Sequence, residues 1–249
     1  MISLLPHIFT TLNLFAGFYS IIATLDENYL RAALAILLAI VFDIFDGRIA
    51  RLTGQSSKFG KEYDSLADMV SFGVAPAILI YYFSLKSFTK MGWLASFLYT
   101  ACVALRLARF NVKSSSSHYF EGLPSPAGGA IISSFVLLLL HFGIEPLYKN
   151  WMILLMVYLI SYLLISPIQY PSFKDIKLKK AQSFYFLVLF ILMLTLTASN
   201  PPLILFIITA FYVLLGPLVV IKRCSSDLCV KVFKKREKVK KIDKIQEDD

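Results

Sequence analysis

The sequence predicts an all-α fold, a polytopic membrane bundle of about eight transmembrane helices. Three observations lead there. Of the 249 residues, 57% are hydrophobic and only 16% are charged, where a soluble domain has about a quarter of its residues charged. The apolar residues gather into runs of about 17–25, the length that crosses a hydrocarbon core of ~30 Å. The Lys and Arg residues fall on alternate connections between those runs.

Taken in order, the predicted spans are Ile8–Leu25, Leu30–Ile49, Tyr63–Phe83, Met91–Phe110, Ala127–Phe142, Trp151–Ile168, Ser183–Ala198 and Pro202–Ile221. The first follows Leu5-Pro6 and ends at Asp26-Glu27-Asn28. It has no charged leader before its apolar run, which predicts a retained span rather than a cleaved signal. Asn13 and Gly17 share one face of it, where Asn13 either bonds a neighbouring helix or joins a site. The fourth span ends R-L-A-R-F-N, with Arg106 and Arg109 one helical turn apart. Such residues either snorkel to the interface or reach an anionic group. A serine run follows, and then Gly122-Leu123-Pro124-Ser125-Pro126 makes a stiff lead into the fifth span. There Gly128-Gly129 allow close helix packing.

The chain divides into a membrane-embedded domain, residues 1–221, and a basic tail, residues 222–249. The tail holds ten basic and six acidic residues and is assigned no chemistry. With the Asp43–Asp68 connection placed in the cytoplasm, 21 of the 25 Lys and Arg lie on that side. Four are in that connection, three lie at or just after the end of the fourth span, four precede the seventh and ten are in the tail. Only Arg31, Lys86, Lys90 and Lys149 lie opposite. This predicts a cell (inner) membrane protein with both termini cytoplasmic. The net charge of +9 suits anionic lipid surfaces and phosphorylated substrates. No nucleic-acid motif is visible. The three cysteines imply no disulfide framework.

One stretch resists a purely structural reading: D-I-F-D-G-R-I-A-R-L-T-G-Q-S-S-K-F-G-K-E-Y-D-S-L-A-D, Asp43 to Asp68. Asp43, Asp46, Gly47 and Ala50 share one helix face, and Gly60, Asp64 and Asp68 share a face of the next helix. Thr53–Ser57 is a short polar loop, so the two helices run antiparallel with their acidic faces opposed. Four facing carboxylates repel strongly unless cations join them. An all-oxygen ligand set favours hard divalent ions, and two metals bridged by carboxylates suit phosphoryl transfer. Gly47, Ala50 and Gly60 leave room for a flat group. Arg48, Arg51, Lys58 and Lys61 offer positive charge to phosphates.

The pattern D-x-x-D-G-x-x-A-R, eight residues, G-x-x-x-D-x-x-x-D resembles the signature of the CDP-alcohol phosphatidyltransferases, without departure. Pro6, Thr10, Asn13 and Gly17 resemble the first helix of that family. The segments R-L-A-R-F-N and G-L-P-S-P-A resemble its serine-accepting branch. The resemblance implies transfer of the phosphatidyl group of CDP-diacylglycerol to the hydroxyl of L-serine, with release of CMP. It implies two divalent ions, Mg²⁺ or Mn²⁺, on Asp43, Asp46, Asp64 and Asp68, with Asp68 also the general base. Gly47, Ala50, Arg51 and Gly60 would hold the CDP moiety, and a homodimer in membrane lipid is implied.

Arg106 and Arg109 are candidates for the acceptor or a phosphate, with Asn111 and Ser125 as neutral partners. Glycerol 3-phosphate and inositol phosphates are the alternative acceptors. Outside the class, a metal-dependent prenyltransferase usually shows two distant Asp-rich segments. A cation transporter would not need the Gly-x-x-Ala-Arg setting.

Overall fold

The computed structural model describes residues 5–52, 57–112, 120–144, 146, 149–170, 195 and 199–218. Helix α1 (Leu5–Leu25) turns tightly into α2 (Tyr29–Leu52). Glu27 adopts a left-handed backbone (φ 58°) in the turn, and the Asn28 N–H donates to the Ala23 carbonyl at 2.8 Å. Asn28 Oδ1 then accepts from the Arg31 N–H at 3.3 Å, at the start of α2. Ala16 and Ala23 of α1 lie in the core with Ala32, Ala33 and Ala39 of α2. Lipid tails are as apolar as these side chains, so close approach of small residues, rather than escape from water, holds the helices together.

Ser57 Oγ accepts from the Gly60 N–H at 2.9 Å and caps α3 (Lys58–Asp68). The helix continues through a π-helical turn (Met69–Val74) into α4 (Ala75–Phe83). Pro76 explains the wide turn. It has no N–H for the Phe72 carbonyl four residues back, and its ring crowds that carbonyl. The Tyr99 hydroxyl of α5 (Lys90–Val112) donates to Phe72 O instead, at 2.8 Å. Just after Asp68, the same turn docks on α1. The Ser71 hydroxyl donates to the Asn13 carbonyl at 2.8 Å. A Cβ on Gly17 would lie 2.6 Å from Ser71 Cα, so only glycine permits this crossing.

Helix α6 (Ser125–His141) starts behind Pro124, and α7 (Trp151–Ile165) is capped by Asn150 Oδ1, which accepts from the Met152 N–H at 2.8 Å. A two-residue strand pair, β1 (Phe120–Glu121) against β2 (Gln169–Tyr170), ties the start of α6 to the end of α7. Runs this short leave no alternating pattern in the sequence, so they do not appear in the prediction above. Gly122 (φ 82°) faces the Leu164 carbonyl, where no side chain fits. The Tyr170 hydroxyl donates to the Val213 carbonyl of α8 (Pro201–Leu218) at 3.1 Å. Burial, and then Tyr212 beside it, push the Tyr170 phenol up to about 12, which keeps it a donor.

Phe72, Tyr99, Ile36, Leu79, Ile132 and Leu164 are fully buried where these helices meet. Phe15, Phe18, Leu34, Phe97, Leu155 and Phe211 are exposed on the outside, a perimeter suited to lipid. Four described helices are long and apolar enough to cross a membrane: His7–Leu25, Lys58–Phe83, Lys90–Val112 and Pro201–Leu218. The fold is a helical membrane bundle, but the expected count of about eight spans is not reached among the described residues. Helix α2 is long enough, yet Arg31, Asp43, Asp46, Arg48 and Arg51 load it with charge. Helices α6 and α7, with 17 and 15 residues, lie at and just below the short end of the ~17–25 that a span needs. The expected seventh span, Ser183–Ala198, lies outside the described residues except Thr195, and the 222–249 tail lies outside them entirely.

Candidate active site

Helix α2 meets the α3–α4 rod mainly through α4 and barely through α3. The two therefore open a cleft toward the 53–57 connection, and the acidic residues line it. One carboxylate oxygen from each of Asp43, Asp64 and Asp68 lies within 4.8 Å of the other two. Asp46 stands beside this trio, hydrogen-bonded to Thr10 of α1 and close to the Asp64 carboxyl. Asp46 and Asp68 are buried, and Asp43 and Asp64 are half-buried. The helical spacing placed the pairs on facing surfaces, and the cleft brings three of the four into one small volume.

Asp46 Oδ2 and Asp64 Oδ1 are buried without a hydrogen-bond partner, as is Asn13 Oδ1. Buried oxygens of this kind require a donor or a cation. The clustered ligands are all carboxylate oxygens, with no imidazole or thiol among them. That chemistry fits a hard divalent cation. The three unpartnered atoms come from three different helices, α1, α2 and α3.

Helix α1 supplies more than a wall. Asn13 Nδ2 donates to Asp68 Oδ1 at 3.1 Å, and Thr10 reaches Asp46. Thr10, Asn13 and Gly17 all turn toward the Asp-bearing helices, on the face that their spacing indicates. At the mouth, Thr11 Oγ1 and Tyr63 Oη lie 2.9 Å apart, and the His7 ring packs edge-on to Phe59 at 5.7 Å.

The small motif residues differ in their surroundings. A Cβ on Gly47 would meet nothing within 4 Å, whereas one on Gly60 would meet His7 Cε1 at 3.0 Å and Ser57 Oγ at 3.1 Å. The room at Gly47 is open, and the room at Gly60 is used by α1. Ala50 and Arg51 lie in α2, and their side chains fall outside the described residues. Arg48 is exposed. Lys61 turns aside to α5, donating to the Asn111 carbonyl at 3.4 Å over the Phe110 ring.

The two arginines at the end of α5 have separate surroundings. Arg106 is 8% exposed, and its Nη1 donates to Ser125 Oγ at 2.8 Å. Its Nε is buried without a partner, and Asp68 lies within its electrostatic reach. Arg109 Nη1 donates to the Ile165 carbonyl at 3.1 Å, at the C-terminal end of α7, where a cation favours the helix dipole. Asn111 makes its bonds to α3, donating to Glu62 Oε2 at 3.1 Å and to Ser65 Oγ at 3.0 Å. The structure thus brings Arg106 and Ser125 together and engages Arg109 and Asn111 with neighbouring helices.

The family model described as CDP-alcohol phosphatidyltransferase matches residues 3–164, which include every acidic residue of the cleft. The chain belongs to the CDP-alcohol phosphatidyltransferase family. The match covers the first six helices and almost all of α7, and stops short of α8. Among similar CDP-alcohol phosphatidyltransferases is the CDP-diacylglycerol–serine O-phosphatidyltransferase of Helicobacter pylori (strain ATCC 700392 / 26695). It is 37% identical over 181 residues, 70% of this chain and 74% of the relative. The enzyme of the same name from Bacillus subtilis (strain 168) is 35% identical over 170 residues, 68% of this chain and 91% of the relative. The archaetidylserine synthase of Methanothermobacter thermautotrophicus is 40% identical over 169 residues, 67% of this chain and 69% of the relative.

Proposed function

We propose that this protein transfers the phosphatidyl group of CDP-diacylglycerol to the hydroxyl of L-serine, forming phosphatidylserine and CMP. The observation that carries the chemistry is the cluster of Asp43, Asp64 and Asp68 oxygens within 4.8 Å, in the family's motif. Serine is favoured as acceptor because the names of the relatives share it while their lipids differ. Family membership sets aside the prenyltransferase and transporter alternatives.

The serine hydroxyl attacks the phosphorus joined to diacylglycerol, the bond from that phosphorus to the bridging oxygen breaks, and CMP leaves. Asp68 takes the serine proton, since a neutral hydroxyl is a weak nucleophile. Asp43, Asp46, Asp64 and Asp68 would hold two divalent ions, Mg²⁺ or Mn²⁺. When bound, these supply charge stabilisation on the phosphoryl oxygens. Gly47, with open space at its Cα, lets the CDP moiety approach α2, and Ala50, Arg51 and Gly60 complete that side. Arg106 binds the serine carboxylate through its unpartnered edge, with Ser125 steadying the guanidinium. Arg109 and Asn111 support this pocket by fixing the end of α5 to α7 and α3.

In this reading residues 1–221 form one membrane domain of about eight spans, with both termini and the Asp cleft cytoplasmic, where nucleotides are. Residues 222–249 form a basic cytoplasmic tail. The enzyme works as a homodimer in the cell (inner) membrane. The test is an acceptor screen on purified protein in detergent, reading CMP release. L-serine should far exceed glycerol 3-phosphate and inositol phosphates. Preferred use of glycerol 3-phosphate would retain the family chemistry and reject serine.

A further inference from the structure

We propose that Asn13 is a positioning residue for Asp68, holding that carboxylate in the one orientation from which it takes the acceptor's proton. The inference rests on the reading of Asp68 as general base. Asn13 is 0% exposed, in the first helix. Its Nδ2 lies 3.1 Å from Asp68 Oδ1, across 55 positions of sequence. An ionised carboxylate only accepts, so the amide nitrogen, not its oxygen, must face Asp68.

The bond matters because Asp68 stands among like charges. The final torsion of an aspartate is broad, and repulsion from Asp43 and Asp64, within 4.8 Å, would turn the group freely. One donor on Oδ1 fixes that torsion and with it the direction of Oδ2. A neutral amide does this without adding charge, whereas Lys or Arg at position 13 would make Asp68 a weaker base. The backbone of α1 is fixed separately: the Ser71 hydroxyl donates to the Asn13 backbone carbonyl at 2.8 Å, and the close crossing of Gly17 over Ser71 sets the depth of α1. Asn13 Oδ1, on the same amide, is buried without a partner, which a side chain serving only as helix glue would not need to leave open.

The test compares Asn13→Asp, Asn13→Ala and Ser71→Ala in the full-length enzyme in detergent, with Mn²⁺ binding read by electron paramagnetic resonance. Asn13→Ala removes the donor without adding charge, whereas Asn13→Asp keeps the volume and sets a carboxyl against Asp68. A misplacement of about 1 Å can cost ~10²-fold in rate, so kcat should fall ~10–100-fold in both Asn13 variants. The KM values for CDP-diacylglycerol and serine should stay within about twofold, and Mn²⁺ binding should persist. Ser71→Ala, which loosens α1 without touching Asp68, should keep kcat within about threefold. The inference is overturned if Asn13→Ala keeps kcat within about threefold, if Ser71→Ala loses as much as Asn13→Ala, or if Asn13→Ala loses Mn²⁺. Asp68→Asn is measured alongside. Near-normal turnover there would reject the base assignment, whereas its loss with an active Asn13→Ala would reject only the role of Asn13.

Discussion

Tyr99 of α5 donates its hydroxyl to the Phe72 carbonyl at 2.8 Å, the carbonyl that Pro76 leaves without a helical N–H. The π turn that results begins at Met69, immediately after Asp68. Asp68, the last residue of the acidic motif, therefore sits at the edge of a helix irregularity that a different helix stabilises.

Tyr99→Phe should destabilise the protein by about 1–3 kcal/mol, the cost of leaving a buried carbonyl unsatisfied. Thermal unfolding in detergent reads this. In a Pro76→Ala background the Phe72 carbonyl regains its N–H partner, so Tyr99→Phe should then cost markedly less. Equal costs in the two backgrounds would mean that the hydroxyl serves something other than the proline gap.

Chelation should abolish CMP release, and either Mg²⁺ or Mn²⁺ should restore it. Asp64→Asn should lose cation binding and turnover together. Asp68→Asn should lose ~10²–10⁴-fold in rate, as removal of a general base does, while some Mn²⁺ still binds. Near-normal turnover of Asp64→Asn would end the two-metal reading.

Arg106 and Arg109 should separate cleanly. Arg106→Lys cannot copy two parallel hydrogen bonds to a carboxylate, so the serine KM should rise about tenfold or more, ahead of that for CDP-diacylglycerol. Arg109→Lys, at the Ile165 carbonyl, should lower stability and leave the serine KM near its parent value. If the lipid KM rises first in Arg106→Lys, that guanidinium binds the diphosphate instead.

Cysteine labelling tests the topology. Single cysteines at Ser87, Asn150 and Asn200 should react from outside, and those at Ser115 and Lys180 only from inside. Labelling of position 150 from the cytoplasm would break the eight-span layout.

The helical membrane class and the acidic motif could be read before any coordinates, because both rest on local order. Apolar run length reports a span, and the i, i+3 and i+4 rules put Asp43 with Asp46, and Asp64 with Asp68, on single faces. The extents of α1 and α5 agree with the predicted spans to within a few residues. The span count was harder to read, because the site itself places charge in α2, and α6 and α7 are short.

Other features depended on the meeting of distant segments. No pattern in the chain pairs Asn13 with Asp68 or Arg109 with the end of α7, and Arg106 and Ser125, expected in one pocket, meet directly only in the fold. Residues on α5 one turn apart look equivalent in sequence, and only the packing of α6 and α7 against that helix gives them different partners. Open space at Gly47 and a filled contact at Gly60 likewise follow from where α1 lies. Helix spacing determines which side chains share a face. The depth and rotation at which each face meets its neighbour come from close packing of small residues and buried hydrogen bonds across the whole bundle, and those exist only in the assembled fold.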